Sequence, residues 1–265
     1  MGKVIMSASG KGGTGKTTFA ANIGAALAMR GKLTVLVDMD MGLRNLDVAL
    51  GLESSIVYDV SDILDGSCSL DEAIIKDSRY ENLYFIPAPQ TKDASSVSAE
   101  EVKKLWTRLS ERFDFCITDA PAGIEGGFKY ALSGADEAVI VTVPETAALR
   151  DADRVISVIE DCGIEDIKLV INKVRPDMID RGIMMNIDDC MDILQIPILG
   201  IVCDDEQLIV SSLKGELAVS NPDSKAGRAF LNIADRILGN DVPIMDMENK
   251  KRGFVDRLKF LFGKQ

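Results

Sequence analysis

Eight residues constrain this chain more than any others: positions 10–17 read GKGGTGKT. They follow an apolar run, VIMSAS (4–9), and precede a helix-forming stretch from Thr18 to Arg30. This is G-x-x-x-x-G-K-[ST] in the strand-to-helix context that gives the pattern its meaning. The residue types are dictated by the chemistry. Gly10, Gly12, Gly13 and Gly15 permit backbone angles that aim successive N–H groups inward, forming a nest for an anion. The helix that follows turns its positive end to the same point. Lys16 then reaches the outer phosphates of a nucleotide, and the Thr17 hydroxyl is placed for Mg²⁺. Lys11, Thr14 and Thr18 complete the loop residues expected around the phosphates.

Carboxylates follow where such a loop needs them. Asp38 and Asp40 close the run TVLVD and its extension, and Asp119 closes FCITDA (115–120). An apolar strand ending in Asp is the usual holder of Mg²⁺ opposite a phosphate loop. Asp38 and Asp40 lie two residues apart around a strand end, so they are not expected to share a job; Asp38 is assigned to the water shell of the magnesium. Asn172-Lys173 invites comparison with the guanine-reading N-K-x-D. Position 175, however, is Arg175, so the carboxylate that would grip guanine is missing. The expected nucleotide is ATP, with Asn172 hydrogen-bonding the adenine edge.

Seven short apolar runs recur: 4–9, 34–38, 83–88, 115–120, 138–143, 169–174 and 198–202. They are apolar on both faces, which suits strands covered by helices on both sides. Ser69–Glu72 and Ser98–Glu101 fit capping boxes, and helices over 147–163 and 224–239 are expected to stop at Gly163 and Gly239. The alternation predicts a doubly wound α/β fold, a mainly parallel sheet of seven to eight strands with helices on both faces.

Composition narrows the chemistry. The chain has 265 residues and no histidine. Histidine-based catalysis is therefore excluded. Its five cysteines form no CxxC pair, which argues against a disulfide framework or a zinc site and for a reducing cytoplasm. No signal peptide or membrane span is expected, because Met1 leads straight into a strand and no window of about 18 apolar residues occurs.

The end of the chain differs from the rest. Lys250 to Lys264 holds six basic residues and one acid, so it carries +5 and leaves -17 on the remainder of a chain whose net charge is -12. No nucleic-acid partner is expected for so acidic a body. At about 100° per residue, Phe254, Val255, Leu258, Leu261 and Phe262 fall within about one third of a helical wheel, with Lys251, Arg252, Arg257 and Lys259 around them. That pattern fits interfacial binding to anionic lipid. The predicted organisation is a nucleotide-binding domain over 1–239, a linker over 240–249 and a membrane-targeting helix over 250–265.

SGKGGTGKTT (9–18), VDMDMGLRNLD (37–47), DAPAGIE (119–125), DRGIMM (180–185) and the basic C-terminus resemble the septum-site-determining ATPases of the ParA/MinD, or deviant Walker A, family. The likeness runs over essentially the whole chain. Ala120 stands where many members have Ser, and Cys203 where Pro is usual. The resemblance implies a P-loop NTPase of the SIMIBI type, with Lys11 reaching the nucleotide of a second subunit in an ATP-bound homodimer. It implies that Asp40 orients the attacking water, with slow basal turnover stimulated by a partner. It also implies two partners, a division inhibitor (MinC-like) and a small activator of hydrolysis (MinE-like or a substitute), at the inner face of the cell membrane. Arg44, Asn45 and Asp47, and the charged helix face of Arg150, Asp151, Asp153 and Arg154, are candidate partner surfaces. A DNA-partition or flagellum-positioning ATPase, and a soluble metabolic P-loop enzyme, are the alternatives; the first wants a basic body, the last has no use for Lys11 or the tail.

Overall fold

The computed structural model describes residues 1–41, 44–89 and 98–244. The expected membrane residues Lys251, Arg252, Phe254, Val255, Arg257, Leu258, Lys259, Leu261 and Phe262 lie outside the described residues, as do Gly42 and Leu43. Among the described residues eight strands form one sheet: β1 (Lys3–Ala8), β2 (Thr34–Asp38), β3 (Ile75–Lys76), β4 (Leu83–Ile86), β5 (Phe115–Asp119), β6 (Glu137–Thr142), β7 (Ile167–Val174) and β8 (Ile198–Cys203). Their order is β3-β4-β2-β5-β1-β6-β7-β8. All pairings are parallel except β3 with β4. The seven expected strands are present, and the eighth is the two-residue antiparallel edge β3, too short to announce itself in the sequence.

Side chains on the central strands alternate between two cores, as a pleated sheet requires. Val4, Met6, Val35, Val37, Ile140 and Leu169 face one core; Ile5, Leu36, Ile117, Val139 and Val170 face the other. The helices are α1 (Lys16–Met29), α2 (Leu46–Leu50), α3 (Val60–Leu64), α4 (Leu70–Ala73), α5 (Ala99–Arg112), α6 (Phe128–Leu132), α7 (Thr146–Asp161), α8 (Pro176–Asp180), α9 (Ile187–Leu194), α10 (Glu206–Leu213) and α11 (Lys225–Ile237). Helices α5 and α7 cover the first core, and α1 and α11 the second. Helix α1 is alanine-rich and buried almost all round, with Phe19 meeting Phe230 of α11 edge-on at 6.4 Å between ring centroids. Gly163 and Gly239 follow α7 and α11 in the left-handed conformation, as expected of helix stops.

One expectation at a helix start is corrected. The Ser69–Glu72 capping box forms, but Ser98 makes no side-chain cap bond. Glu101, which should reach back to it, is held instead by Lys104 at 2.8 Å. Past α11, Arg236 donates to the carbonyls of Leu199, Val242 and Pro243, so the first residues of the expected linker are tied to the body.

The end of the sheet where β1, β6 and β7 begin is sealed by charge. Glu137 is fully buried and paired with Lys3 and, at 2.9 Å, with Lys168; Asp166 joins both lysines at the rim. The lysines are partly exposed and can find water, whereas Glu137 cannot. Replacing both with methionine strands a buried carboxylate and is expected to cost about 3–5 kcal/mol. Glu137→Gln, which removes the buried charge, is expected to cost about half of that or less. Urea unfolding of the two variants checks this order.

Candidate functional site

The phosphate loop runs from the end of β1 into α1 and sits above the C-terminal ends of adjacent strands. Ser7 on β1 is in register with Asp119 on β5, and Asp119 is in register with Asp38 on β2. Topology therefore places the two carboxylates side by side under the loop. The loop depends on two glycines in different ways. Gly15 ends it at φ 92, and a Cβ there would lie 2.2 Å from Asn172 Nδ2. A Cβ on Gly10 would lie 2.2 Å from the backbone carbonyl carbon of Asp151, so only glycine lets the loop rest against α7.

A cavity of about 550 Å³ opens here, lined by Ser9, Gly12, Gly13, Thr14, Gly15, Lys16, Thr17, Asp40, Asn45, Pro121 and Ala122. Lys16 is buried and its Nζ contacts Asp119 Oδ1 at 2.6 Å. The other Asp119 oxygen is buried without a hydrogen-bond partner. Asp38, also fully buried, accepts the backbone N–H groups of Asp40 at 2.9 Å and Leu46 at 3.3 Å, tying the 40–46 segment to the strand. Burial first, then the charge of Asp119, pushes the Asp38 carboxyl up to about 8 against those two N–H groups. Asp40 lines the cavity half-buried; burial raises it, Lys16 opposes and Asp119 adds to the rise. Asp38 is fully buried and Asp40 lines the cavity; residues two apart in a continuing strand would share a face, so it is the end of β2 at Asp38 that separates them.

Two buried carboxylates with one lysine make a poor seat for a polyphosphate by themselves. A divalent cation fits this arrangement. The orphaned Asp119 oxygen and the half-buried Thr17 are the groups that would hold magnesium, with Asp38 behind them. No cluster of three carboxylate or cysteine ligands occurs among the described residues. The cation would therefore be shared with nucleotide phosphates, the usual manner for magnesium.

Other expected residues fall less simply. Lys11 is exposed and absent from the cavity lining; Thr14 is buried against the loop, and Thr18 lies half-buried on α1, where its carbonyl accepts Asn22. Asn172 was expected at the adenine edge. It is buried, its Nδ2 donating to the Thr14 carbonyl at 2.8 Å and its Oδ1 accepting Lys173 N–H. Its amide braces the phosphate loop, because β7 ends directly behind that loop. Lys173, at φ 54, donates to the Gly13 carbonyl at 2.7 Å. The sequence reading missed this second brace, although the Asn-Lys pair after a strand was its signal.

The partner-surface candidates divide. Asn45 is exposed at the cavity. Asp47 is corrected: it is buried, with its carboxylate taken by Arg44 at 2.8–2.9 Å, so in this conformation neither charge is free to meet a partner. On α7, Asp153 is exposed and Asp151 partly so. Asp205, beside the unusual Cys203, caps α10 and accepts Ser224 Oγ and Ala226 N–H, so its role is to join α10 to α11. No helix of the described residues is long and apolar enough to cross a membrane.

The comparisons with known proteins fit this geometry. The CobQ/CobB/MinD/ParA nucleotide-binding domain matches residues 5–219. The septum site-determining protein MinD of Bacillus subtilis is 46% identical over 265 residues, covering 99% of each chain. That of Escherichia coli K12 is 40% identical, covering 97% of this chain and 99% of its own. Among solved structures, the MinC:MinD cell division complex of Aquifex aeolicus is similar with a TM-score of 0.86 and 40% identity, covering 92% of this chain and 98% of that one. MinD of Pyrococcus horikoshii, solved with Mg-ADP, is similar with a TM-score of 0.80 and 29% identity over 89% of this chain and 96% of its own. On its loop, its sheet and these full-length likenesses, the chain belongs to the MinD family of septum site-determining, nucleotide-binding ATPases.

Proposed function

We propose that this protein, a septum-placing ATPase by family, is an ATP-driven membrane switch. The observation that supports the reading most is the cavity at the strand ends, where Lys16, Thr17, Asp40 and the unpartnered Asp119 oxygen converge. In the proposed cycle Lys16 leaves Asp119 for the β- and γ-phosphates of ATP. Thr17 and Asp119 would hold magnesium, with Asp38 behind them, and the bound cation would supply charge neutralisation at the phosphates. Asp40 orients the attacking water. Asp40 lies half-buried at the cavity wall, and on this reading turnover stays slow until a partner orders the site.

Lys11 has no work in its own cavity, and its exposure suits a role in trans. Two subunits facing across their nucleotides would each lend this lysine to the other, in the manner of an arginine finger. Dimerisation doubles the number of C-terminal tails. One short amphipathic segment binds lipid marginally, and two act as a bivalent anchor stronger by roughly 10². The domain over 1–239, linker over 240–249 and targeting segment over 250–265 divide these labours. The protein is cytoplasmic and sits on the inner face of the cell membrane while it holds ATP. The partners proposed are a MinC-like division inhibitor and a small activator of hydrolysis; the MinC:MinD complex of Aquifex aeolicus supports the first.

Co-sedimentation with anionic vesicles at matched salt tests the cycle. Wild type is expected to pellet with ATP and not with ADP. Lys11→Ala is expected to lose the difference between nucleotides. Deletion of 250–265 is expected to abolish pelleting while leaving nucleotide affinity within about twofold. Equal pelleting of wild type in both nucleotides would remove the ATP-driven dimer from its assigned role.

A further inference from the structure

Ser7 carries a hydroxyl that the resting fold leaves unused. The residue is fully buried, and its Oγ has no hydrogen-bond partner. A strand covered on both faces is apolar at nearly every position, and Val4, Ile5, Met6 and Ala8 of β1 keep to that rule. An unsatisfied buried hydroxyl costs stability that an alanine would not. Its place in the middle of the sheet therefore calls for a reason.

The register supplies one. Residues paired across neighbouring parallel strands send their side chains to the same face. Ser7 is paired with Asp119 on β5, and Asp119 with Asp38 on β2. The three stand in one row on the face that α1 covers, the face of Ile5, Ile117 and Leu36 two residues before them. Strands lie about 4.8 Å apart, so the side chains of Ser7 and Asp119 are direct neighbours. On its other side Ser7 meets Val139 of β6, and along its own strand Ile5; both are apolar. Asp119 is the neighbour in the row with an acceptor to spare, because Oδ1 takes Lys16 while Oδ2 is buried without a partner. Two orphaned and complementary atoms, a donor and an acceptor, thus stand buried on adjacent strands.

We propose that Ser7 is a positioning residue for Asp119 in the nucleotide-bound state. The inference rests on the reading that Lys16 leaves Asp119 for the phosphates and that Asp119 then holds magnesium. Once the lysine turns away, Asp119 has the buried Asp38 carboxylate on one side and the Ser7 hydroxyl on the other. Rotation of Ser7 between staggered wells about χ1 aims its O–H at the carboxylate. The hydroxyl donates to one Asp119 oxygen, and the other is left for the cation. A hydrogen bond to an ionised carboxylate is roughly twice as strong as one between neutral groups. Here it also selects a direction, drawing Asp119 towards β1 and away from the like charge of Asp38. Lysine and serine act in turn: Lys16 steadies Asp119 before nucleotide arrives, and Ser7 steadies it afterwards.

The test uses the full chain carrying Ser7→Ala, titrated with ADP, which undergoes no turnover. Affinity is measured with excess Mg²⁺ and again with EDTA, and the ratio reads how well Asp119 holds the cation. Ser7→Ala is expected to reduce the gain from magnesium about tenfold while leaving the affinity in EDTA within about twofold. Urea unfolding of the nucleotide-free variant is expected to match or exceed wild type, because the hydroxyl removed has no partner there. Ser7→Thr, which keeps the hydroxyl, is expected to keep the wild-type ratio. An unchanged magnesium gain in Ser7→Ala overturns the proposal and leaves the magnesium reading of Asp119 in place. An equal loss in Ser7→Thr also overturns it, since shape rather than the hydroxyl would then matter. A wild type whose ADP affinity ignores magnesium overturns both the proposal and the reading beneath it.

Discussion

Lys16→Gln is expected to lower ATP turnover by about 10³-fold or more, the largest effect of any single substitution in this protein. Removing one preorganised charge from a water-poor phosphate site costs on the order of 3–4 kcal/mol in the transition state. The lysine also has a structural task before nucleotide arrives. It is buried and holds Asp119 at 2.6 Å, beside the equally buried Asp38. Its loss leaves the buried Asp119 carboxylate without the cation that faces it. The nucleotide-free variant is therefore expected to lose about 2–3 kcal/mol of stability in addition to its activity. Adding Asp119→Asn should restore most of that stability and none of the turnover. Urea unfolding and single-turnover hydrolysis, run side by side, separate the two roles. If the double variant were no more stable than Lys16→Gln, the ion pair would not be what Lys16 contributes to the resting fold.

Stability of the nucleotide-free protein should fall as pH rises from about 4 to about 8. The Asp38 carboxyl is raised from 3.8 to about 8, first by burial and then by the Asp119 charge. Between those values the folded state holds a proton that the unfolded state has released. Stability then decreases with pH, because unfolding releases that proton. The contribution is complete below the unfolded value and is lost as pH climbs through the folded one. Over this window the change is about 2–5 kcal/mol. Asp38→Asn keeps a neutral side chain of the same shape, and one oxygen remains to accept the Asp40 N–H. Its unfolding free energy should vary little with pH across the window and should exceed that of wild type at pH 8. Saturating Mg-ATP should flatten the wild-type slope too, since a bound divalent cation favours the ionised carboxylate. Denaturant titrations at pH 5, 6.5 and 8 read all three expectations; a wild-type slope of the opposite sign would contradict the burial of this group.

Both predictions concern pairings that the linear sequence does not display. The phosphate loop was legible because its information is local: glycines, lysine, threonine and the strand-to-helix context lie within about 20 residues of one another. Seven strands were legible because a doubly covered strand is apolar at every position, and the stops of α7 and α11 because glycine marks them. Strand β3 was not, since two residues carry no period. The partners of the key side chains were decided only in three dimensions. Asp119 reaches Lys16 across 103 residues and Asn172 reaches Thr14 across 158. Strand order alone puts them together, and no spacing rule expresses that order. The bond of Asn172 to the phosphate loop has the same origin, and Asp47 turned inward because Arg44, three residues away, satisfies it in a buried position. The sequence by itself determined which groups could bind and act on a nucleotide; the tertiary structure decided which of them face it and which hold the others in place, because burial and pairing depend on neighbours that the chain supplies only after folding.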